Sequence, residues 1–461
     1  MKASLQDLEL YYQQHEERMI DELKAALRFQ SLSSDERFHG QVEACGQWYI
    51  EHLESLGFTA QFLKTDSLPL VYAERPGVNQ NLPTILLYGH IDVQPTGEVS
   101  EWTTPPFEPH LRNGRLYARG ARDNKGQTFF WLKAFEALSS MGLLQNPVKV
   151  LLDTEEESLS PGLVGNIYHY ADRLKADLIV ASETPGCSTG DPAIIVGLRG
   201  AVYLQIRVRS AEKEVHSGNH GGIVRNPILE LSKVLGSLVD DKNRINIPGF
   251  YKEVLEPSDI ERKLARNLNF YEQSYSEDFG INEILSESGY TPIEQVGFRP
   301  FLDISGIEGG SRGKQIKTSI PPYADASICI RLVPDQNPQK IMQRVVAHIK
   351  NQLPKSLKLE VLQHRALAPA FRADLKSNYY ELANKALEGM IKEQVSYLWS
   401  GASLPVIPLL VEVSRATPLL IGFGLIEDNE HGVDESYSLD QFKKGFLFAT
   451  RFIQSLSEEN N

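Results

Sequence analysis

Residues 84–93 read TILLYGHIDV, an apolar and β-branched run that suits a buried strand. Gly89 stands near the end of the run, and His90 and Asp92 follow it two positions apart. An extended backbone turns side chains at that spacing toward the same side. The run therefore ends in an imidazole able to bind metal and a carboxylate, both carried on a rigid support. A fold for this chain must bury the strand and bring other side chains to its far end.

The neighbouring segments supply such a fold. Leu5, Leu8, Tyr12, Met19, Leu23 and Leu27 recur close to helical spacing over residues 4–28, and a second helix is predicted from about 41 to 56, with Gly57 past its end. Strands are predicted at FTAQFLK and LPLVYAE, a helix at NKGQTFFWLKAFEALSSMG, and strands at PVKVLLD and ADLIVASE. This alternation predicts an α/β fold with a sheet covered by helices on both faces. From residue 201 the order becomes strand AVYLQIRVRS, helix NPILELSKVLGSLVD, strands PFLDISGI and ADASICIRLV, helix PQKIMQRVVAHIKNQL and strand LKLEVLQH. That is the split βαβ order of a small α+β, ferredoxin-like domain. The first pattern resumes with SNYYELANKALEGMIK, PLLIGFGL and a helix near 438–457. Residues 201–368 are thus predicted as an insertion into a discontinuous domain of 1–200 and 369–461. The charge-rich stretch 253–296 shows no clean period.

Composition narrows the function classes. At 461 residues the chain exceeds what one hydrophobic core usually serves. A net charge of −13 repels nucleic acid and anionic lipid, so neither is expected as a partner. No apolar run approaches membrane-spanning length, and the N-terminal MKASLQDLELYYQQHEERM has no apolar signal region. Cys45, Cys187 and Cys329 are far apart and form no CxxC pair. Reduced thiols in a cytoplasm are the expectation, and a thiolate zinc site is disfavoured. A metal here must be held by His and carboxylates.

Four further stretches place such groups at the ends of predicted strands or the start of a helix. ARGARDNKG carries Asp123, DTEEESLS carries Glu155, Glu156 and Glu157, ASETPG carries Glu183, and NEHGVDE carries His431. Ligands of open α/β sheets bind beyond the carboxyl ends of the strands. Gathered there, His90, Asp123, Glu157, Glu183 and His431 would suit zinc, or manganese or cobalt, and a shared carboxylate would suit a two-metal site. Each residue alone has a plainer reading. A triple Glu is usually a solvated face, Asp123 an N-cap, and the histidines ordinary loop residues. The joint occurrence argues against these readings.

The motifs GHIDVQP, ARGARDNKG, EEESLS, SETP, EVHSGNHGG, KTSIPP, SICIRLVP, SGASLPV and EHGVDE occur in this order. As a set the chain resembles the di-zinc metallopeptidase family of carnosinase-type dipeptidases, aminoacylases, acetylornithine deacetylase and glutamate carboxypeptidase. The dipeptidase branch is the nearest. The resemblance covers nearly the whole chain and implies a zinc-peptidase-like catalytic domain with an inserted lid that dimerises. It implies two zinc ions per subunit, one on His90, Asp123 and Glu183, the other on Asp123, Glu157 and His431. Glu156 would act as general base on a water between the ions, and Asp92 would orient His90. Thr318, Arg331 and Ser403 would grip a substrate carboxylate. His216 would reach the other subunit of a homodimer and stabilise the oxyanion.

Other features receive separate readings. His216 and His220 have i, i+4 spacing, but SGN and GG around them disfavour the helix that would make them a zinc pair. His364 matches a family substrate contact only weakly. GIEGGSRGKQ resembles a phosphate loop but has Glu where the first Gly belongs and Gln after its Lys, so a turn is expected. Glu183 stands where the dipeptidase branch carries Asp, Leu159 replaces the Gly of EExGS, Ala402 the second Gly of GGS and Ala118 the first Gly of GRG. These departures bear on the substrate pocket and leave every expected ligand in place. The expected activity is hydrolysis of dipeptides or small peptides with a free carboxylate. The alternatives are an N-acyl amino acid deacylase or carboxypeptidase-like amidohydrolase, a two-metal phosphoesterase, or a metal-free binding protein on the same fold.

Overall fold

Strand Ile85–His90 is buried at every position. It runs parallel to Val148–Asp153 on one side and to Leu178–Ala181 on the other. A strand with no solvent face takes apolar residues on both sides, which is why this one reads as a run and not as an alternation. The computed structural model describes residues 2–457 except 188, 269–271, 312–316, 367–368, 392–393 and 402–403. The chain divides into two units, Met1–Val196 with Ala373–Leu398 and Leu409–Asn461, and Gly197–Arg372 with Trp399–Pro408.

The sheet of the first unit runs Thr59–Leu63, Leu70–Arg75, Val148–Asp153, Ile85–His90, Leu178–Ala181, Thr417–Gly422, Ala193–Leu198. Its middle is parallel and its margins antiparallel. Helix Leu5–Leu27 starts at a capping box between Ser4 and Asp7 and buries Leu8, Tyr12, Met19, Leu23 and Leu27. Helix Gln127–Ser140 is buried along most of its length, and Leu439–Leu456 packs against it. At Gly445 an added Cβ would come within 2.5 Å of the Phe130 ring, so the helices cross at glycine distance. Phe130 also meets Phe423 edge-on, ring centres 5.0 Å apart. Burying such a ring stabilises by about 1.5–3 kcal/mol.

The second unit holds a four-stranded antiparallel sheet in the order Phe301–Gly309, Tyr323–Leu332, Gly200–Arg209, Lys358–Ala366. This is the ferredoxin-like order. Val202, Leu204, Ile206 and Val208 of one strand pack with Leu231 and Val234 of helix Pro227–Gly236 and with Ile341, Val345 and Ile349 of helix Pro338–Gln352. The alternate residues of Gly200–Arg209 turn to the half-exposed face, giving the alternation its sequence shows. The stretch 253–296 forms helices Asp259–Arg266, Glu272–Phe279 and Pro292–Phe298. Its buried side is charged: Glu261 pairs with Arg372, Glu294 with Arg262 and Glu287 with Arg299. That removes the apolar period a helix normally shows. No helix among the described residues is long and apolar enough to cross a membrane, and all three cysteines are free.

Candidate metal centre

His90 closes its strand with its side chain fully buried. Its Nδ1 lies 3.1 Å from the Asp92 carbonyl and 3.4 Å from Asp92 Oδ1, while Nε2 lies 3.1 Å from Asp123 Oδ1. His431 Nε2 lies 2.9 Å from the other oxygen, Asp123 Oδ2, and 3.6 Å from Glu157 Oε1. Two imidazoles from distant parts of the chain thus meet opposite oxygens of one carboxylate. His90, Asp123 and Glu183 bring donor atoms within 4.8 Å of one another, and so do Asp123, Glu430 and His431.

Buried polar side chains fix these positions. Asp123 has extended torsions, φ −117° and ψ 95°, inside the kinked turn Ala121–Gly126. Next to it, Asn124 Nδ2 donates to the Ser182 carbonyl at 2.6 Å. Gln127 Nε2 donates to the Glu183 carbonyl at 2.9 Å, and its Oε1 accepts from Phe423 N at 3.1 Å. The helix start therefore holds the loop that carries Glu183. Asp92 serves the opposite side: its Oδ1 accepts from Glu156 N at 3.1 Å, and its Oδ2 from Glu157 N at 3.0 Å and the Ser33 hydroxyl at 2.6 Å. Its carboxylate is closer to those donors than to the His90 ring, which is met at shorter range by its carbonyl. Leu159, at φ 71°, occupies the left-handed region that favours glycine. His431 sits at φ 61°, a second non-glycine in that region.

The electrostatics are those of a crowded carboxylate pocket. Burial drives Glu156 well above the usual carboxylate range, and the charges of Glu183 and Glu157 add to it against His90. Burial also pushes Glu183 up to about 8, with Asp123 and Glu157 reinforcing the effect against His90 and Arg122. Burial disfavours charge on His90, but Asp123 and Asp92 outweigh it and raise its imidazole well above the ordinary value. The hydrogen bond to Asp123, then the nearby Glu157 carboxylate, raises His431 to about 10. Asp123 is held well below the usual range because His431 and His90 outweigh its burial. Glu157 Oε2 accepts from Gln94 Nε2 at 2.6 Å, whereas its buried Oε1 has no hydrogen-bond donor among the described residues. Clustered anions in a low-dielectric site call for positive charge. Imidazoles on two sides, a carboxylate with an oxygen for each, and an unsatisfied Glu157 oxygen fit divalent cations.

The remaining expected residues lie in the second unit. His216 is exposed on a ribbon in which Val215–His216 pairs with Ser319–Ile320. Ser217 N donates to the Thr318 carbonyl at 3.0 Å, so His216 and Thr318 are neighbours. One helical turn, Ser217–His220, forms where the sequence disfavoured a helix. His216 caps that turn from outside, its Nδ1 accepting from Gly218 N at 3.1 Å, which is compatible with the surrounding glycines. Arg331 pairs with Ala201 and Phe301 across the sheet, its guanidinium 5.9 Å from the Tyr203 ring. His364 is exposed on strand Lys358–Ala366. Ser403 and Ala402 lie outside the described residues, as do 312–315 of GIEGGSRGKQ. Sequence reading missed Glu430, whose carboxylate joins Asp123 and His431 and pairs with Arg122 at 2.6 Å. Its signal was only adjacency to His431.

The profile of Peptidase family M20/M25/M40 matches residues 86–455. The chain is 28% identical to Beta-Ala-His dipeptidase of Homo sapiens over 471 residues, covering 98% of this chain and 93% of that one. It is 29% identical to Cys-Gly metallodipeptidase DUG1 of Candida albicans over 467 residues, covering 96% of each. The crystal structure of Sso-CP2, an M20 family metallo-carboxypeptidase from Sulfolobus solfataricus, superposes with a TM-score of 0.84 at 27% identity, over 95% of this chain and 99% of that one. The chain belongs to peptidase family M20/M25/M40.

Proposed function

We propose that this chain hydrolyses the amide bond of dipeptides or small peptides that carry a free C-terminal carboxylate. The observation that carries the reading is the approach of His90 and His431 to opposite oxygens of Asp123, at 3.1 and 2.9 Å. His90, Asp123 and Glu183 would hold one cation and Asp123, Glu157 and His431 the other, two zinc ions per subunit, with manganese or cobalt suiting the same donors. When bound, such ions polarise a scissile carbonyl and make water acidic enough to ionise near neutral pH. Glu156, half-buried beside Glu183 and Glu157, takes the proton from the attacking water and returns it to the leaving amine. Asp92 keeps His90 and the Glu156–Glu157 turn in register. Thr318, Arg331 and Ser403 grip the substrate carboxylate, for which the planar guanidinium is suited. Residues 201–368 act as lid and dimer surface, and His216 serves the partner subunit of a homodimer. The chain works in the cytoplasm.

The relatives named as dipeptidases for Beta-Ala-His and Cys-Gly support small peptides as substrates. A carboxypeptidase-like or N-acyl amino acid activity is the second reading, favoured by Glu183 and by the likeness to a metallo-carboxypeptidase. A panel of dipeptides, longer peptides and N-acyl amino acids, assayed with zinc-loaded enzyme, separates the two. Dipeptides should be turned over fastest, and amidating their C-terminus should lower kcat/KM by at least about 100-fold. Faster cleavage of N-acyl amino acids would favour the second reading. No turnover of any amide by metal-loaded protein would end the first.

A further inference from the structure

Glu435 is 1% exposed, and both its oxygens are saturated. Oε1 accepts from the backbone N–H groups of Arg122 and Asp123, each at 3.0 Å. Oε2 accepts from Gly120 N at 2.8 Å and from Arg119 Nη1 at 2.7 Å. Arg119, also 1% exposed, extends the contact through Nη2, which donates to the carbonyls of Pro95 at 3.0 Å and His431 at 3.1 Å. One buried ion pair therefore grips the segment after the His90 strand, the Asp123 turn and the His431 loop. Neither residue offers an atom to the candidate metal centre.

We infer that Arg119 and Glu435 are the positioning pair that sets where Asp123 and His431 stand, and so how tightly the centre holds divalent cations. This rests on reading those two residues as ligands. Three successive segments of backbone are tied to one carboxylate and one guanidinium, and a carboxylate with about four acceptor sites is used to capacity. Asp123 is extended inside a turn and His431 is left-handed at φ 61°. A non-glycine in the left-handed region, as His431 is, persists only where the surroundings over-determine it. The pair supplies that constraint for both residues at once. A Gln at 435 keeps the shape but turns an NH2 group toward backbone N–H donors and leaves the Arg119 charge buried without its partner. A Lys at 119 keeps the charge but loses the fork that reaches Pro95 and His431.

The test uses the full chain, stripped of metal and titrated with zinc chloride against a competing chelator, with circular dichroism and thermal melts of the metal-free forms. Glu435→Gln and Arg119→Lys should keep the wild-type dichroism and bind zinc about 10–100-fold more weakly. Lys133→Met is the control for a buried ion pair elsewhere, since Lys133 Nζ bonds to Glu136 at 2.7 Å, to Glu22 and to His52, and to no residue of this turn among the described residues. It should lower the metal-free melting temperature and leave zinc affinity unchanged. Wild-type protein that binds no zinc would overturn the ligand reading itself. Wild-type binding with both variants equally tight, an equal loss of affinity in Lys133→Met, or variants that fail to fold with or without zinc would instead overturn the positioning role alone.

Discussion

Glu156 and Glu157 are neighbours in sequence, yet their surroundings divide them. Glu157 meets Gln94 and approaches His431, while Glu156 is driven upward by burial and by the charge of Glu183. Glu156→Gln is therefore expected to lower turnover by about 10²–10⁴-fold with zinc content unchanged, measured by steady-state assay and elemental analysis. Loss of zinc instead would mean the two glutamates have exchanged roles. Asp123→Ala should release both ions, because each imidazole faces one of its oxygens, and a variant that retains two would remove its bridging role. At this scale the residues able to donate to a cation were legible, since few side-chain types can do so and these follow recognisable strands. Glu435, Arg119 and Glu430 were not. A carboxylate that collects backbone N–H groups in the interior is spelled like one on the surface, and only the folded chain separates them.

Elements explain both the legible and the illegible stretches. The strand Ile85–His90 was readable because burial on both faces writes a continuous apolar run. The helices of 253–296 were not, because Glu261 and Glu294 on them, and Glu287 in the segment between, face inward on ion pairs. Gly89 marks where that strand touches the helix beginning at Gln127: an added Cβ would fall 2.1 Å from Thr128 Oγ1. Gly89→Ala should destabilise the protein by about 1–3 kcal/mol, read as a lower denaturation midpoint with an unchanged slope. A second element-scale effect concerns pH. His52, on helix His39–Ser55, stacks on Trp48 with ring centres 5.0 Å apart, and burial, then the Lys133 charge, lowers its imidazole from 6.5 to about 4. The unfolded chain then binds the proton more readily, so this contribution is complete above pH 6.5 and is lost as pH falls toward 4. His52→Gln should flatten the stability profile across that window in denaturant titrations, and an unaltered slope would rule this assignment out.

Across the whole molecule the candidate centre is assembled from parts far apart in the chain, with Asp123 and His431 separated by 308 positions. Binding to the folded state alone stabilises it, by about 2.7 kcal/mol at a free ligand concentration 100 times Kd. Chelation should therefore lower the melting temperature by several degrees, with the shift growing with zinc concentration; a melt indifferent to zinc would contradict coupling between the ions and the fold. The sheet order adds a consequence for synthesis. Strand Thr417–Gly422 lies between Leu178–Ala181 and Ala193–Leu198, and it is the last of that sheet to be made. A nascent chain emerging from the ribosome must keep a slot in the middle of its sheet until that strand arrives, with His431 close behind. A polypeptide truncated before that strand would lack both an interior strand of the sheet and His431, leaving unpaired strand edges beside an incomplete candidate centre.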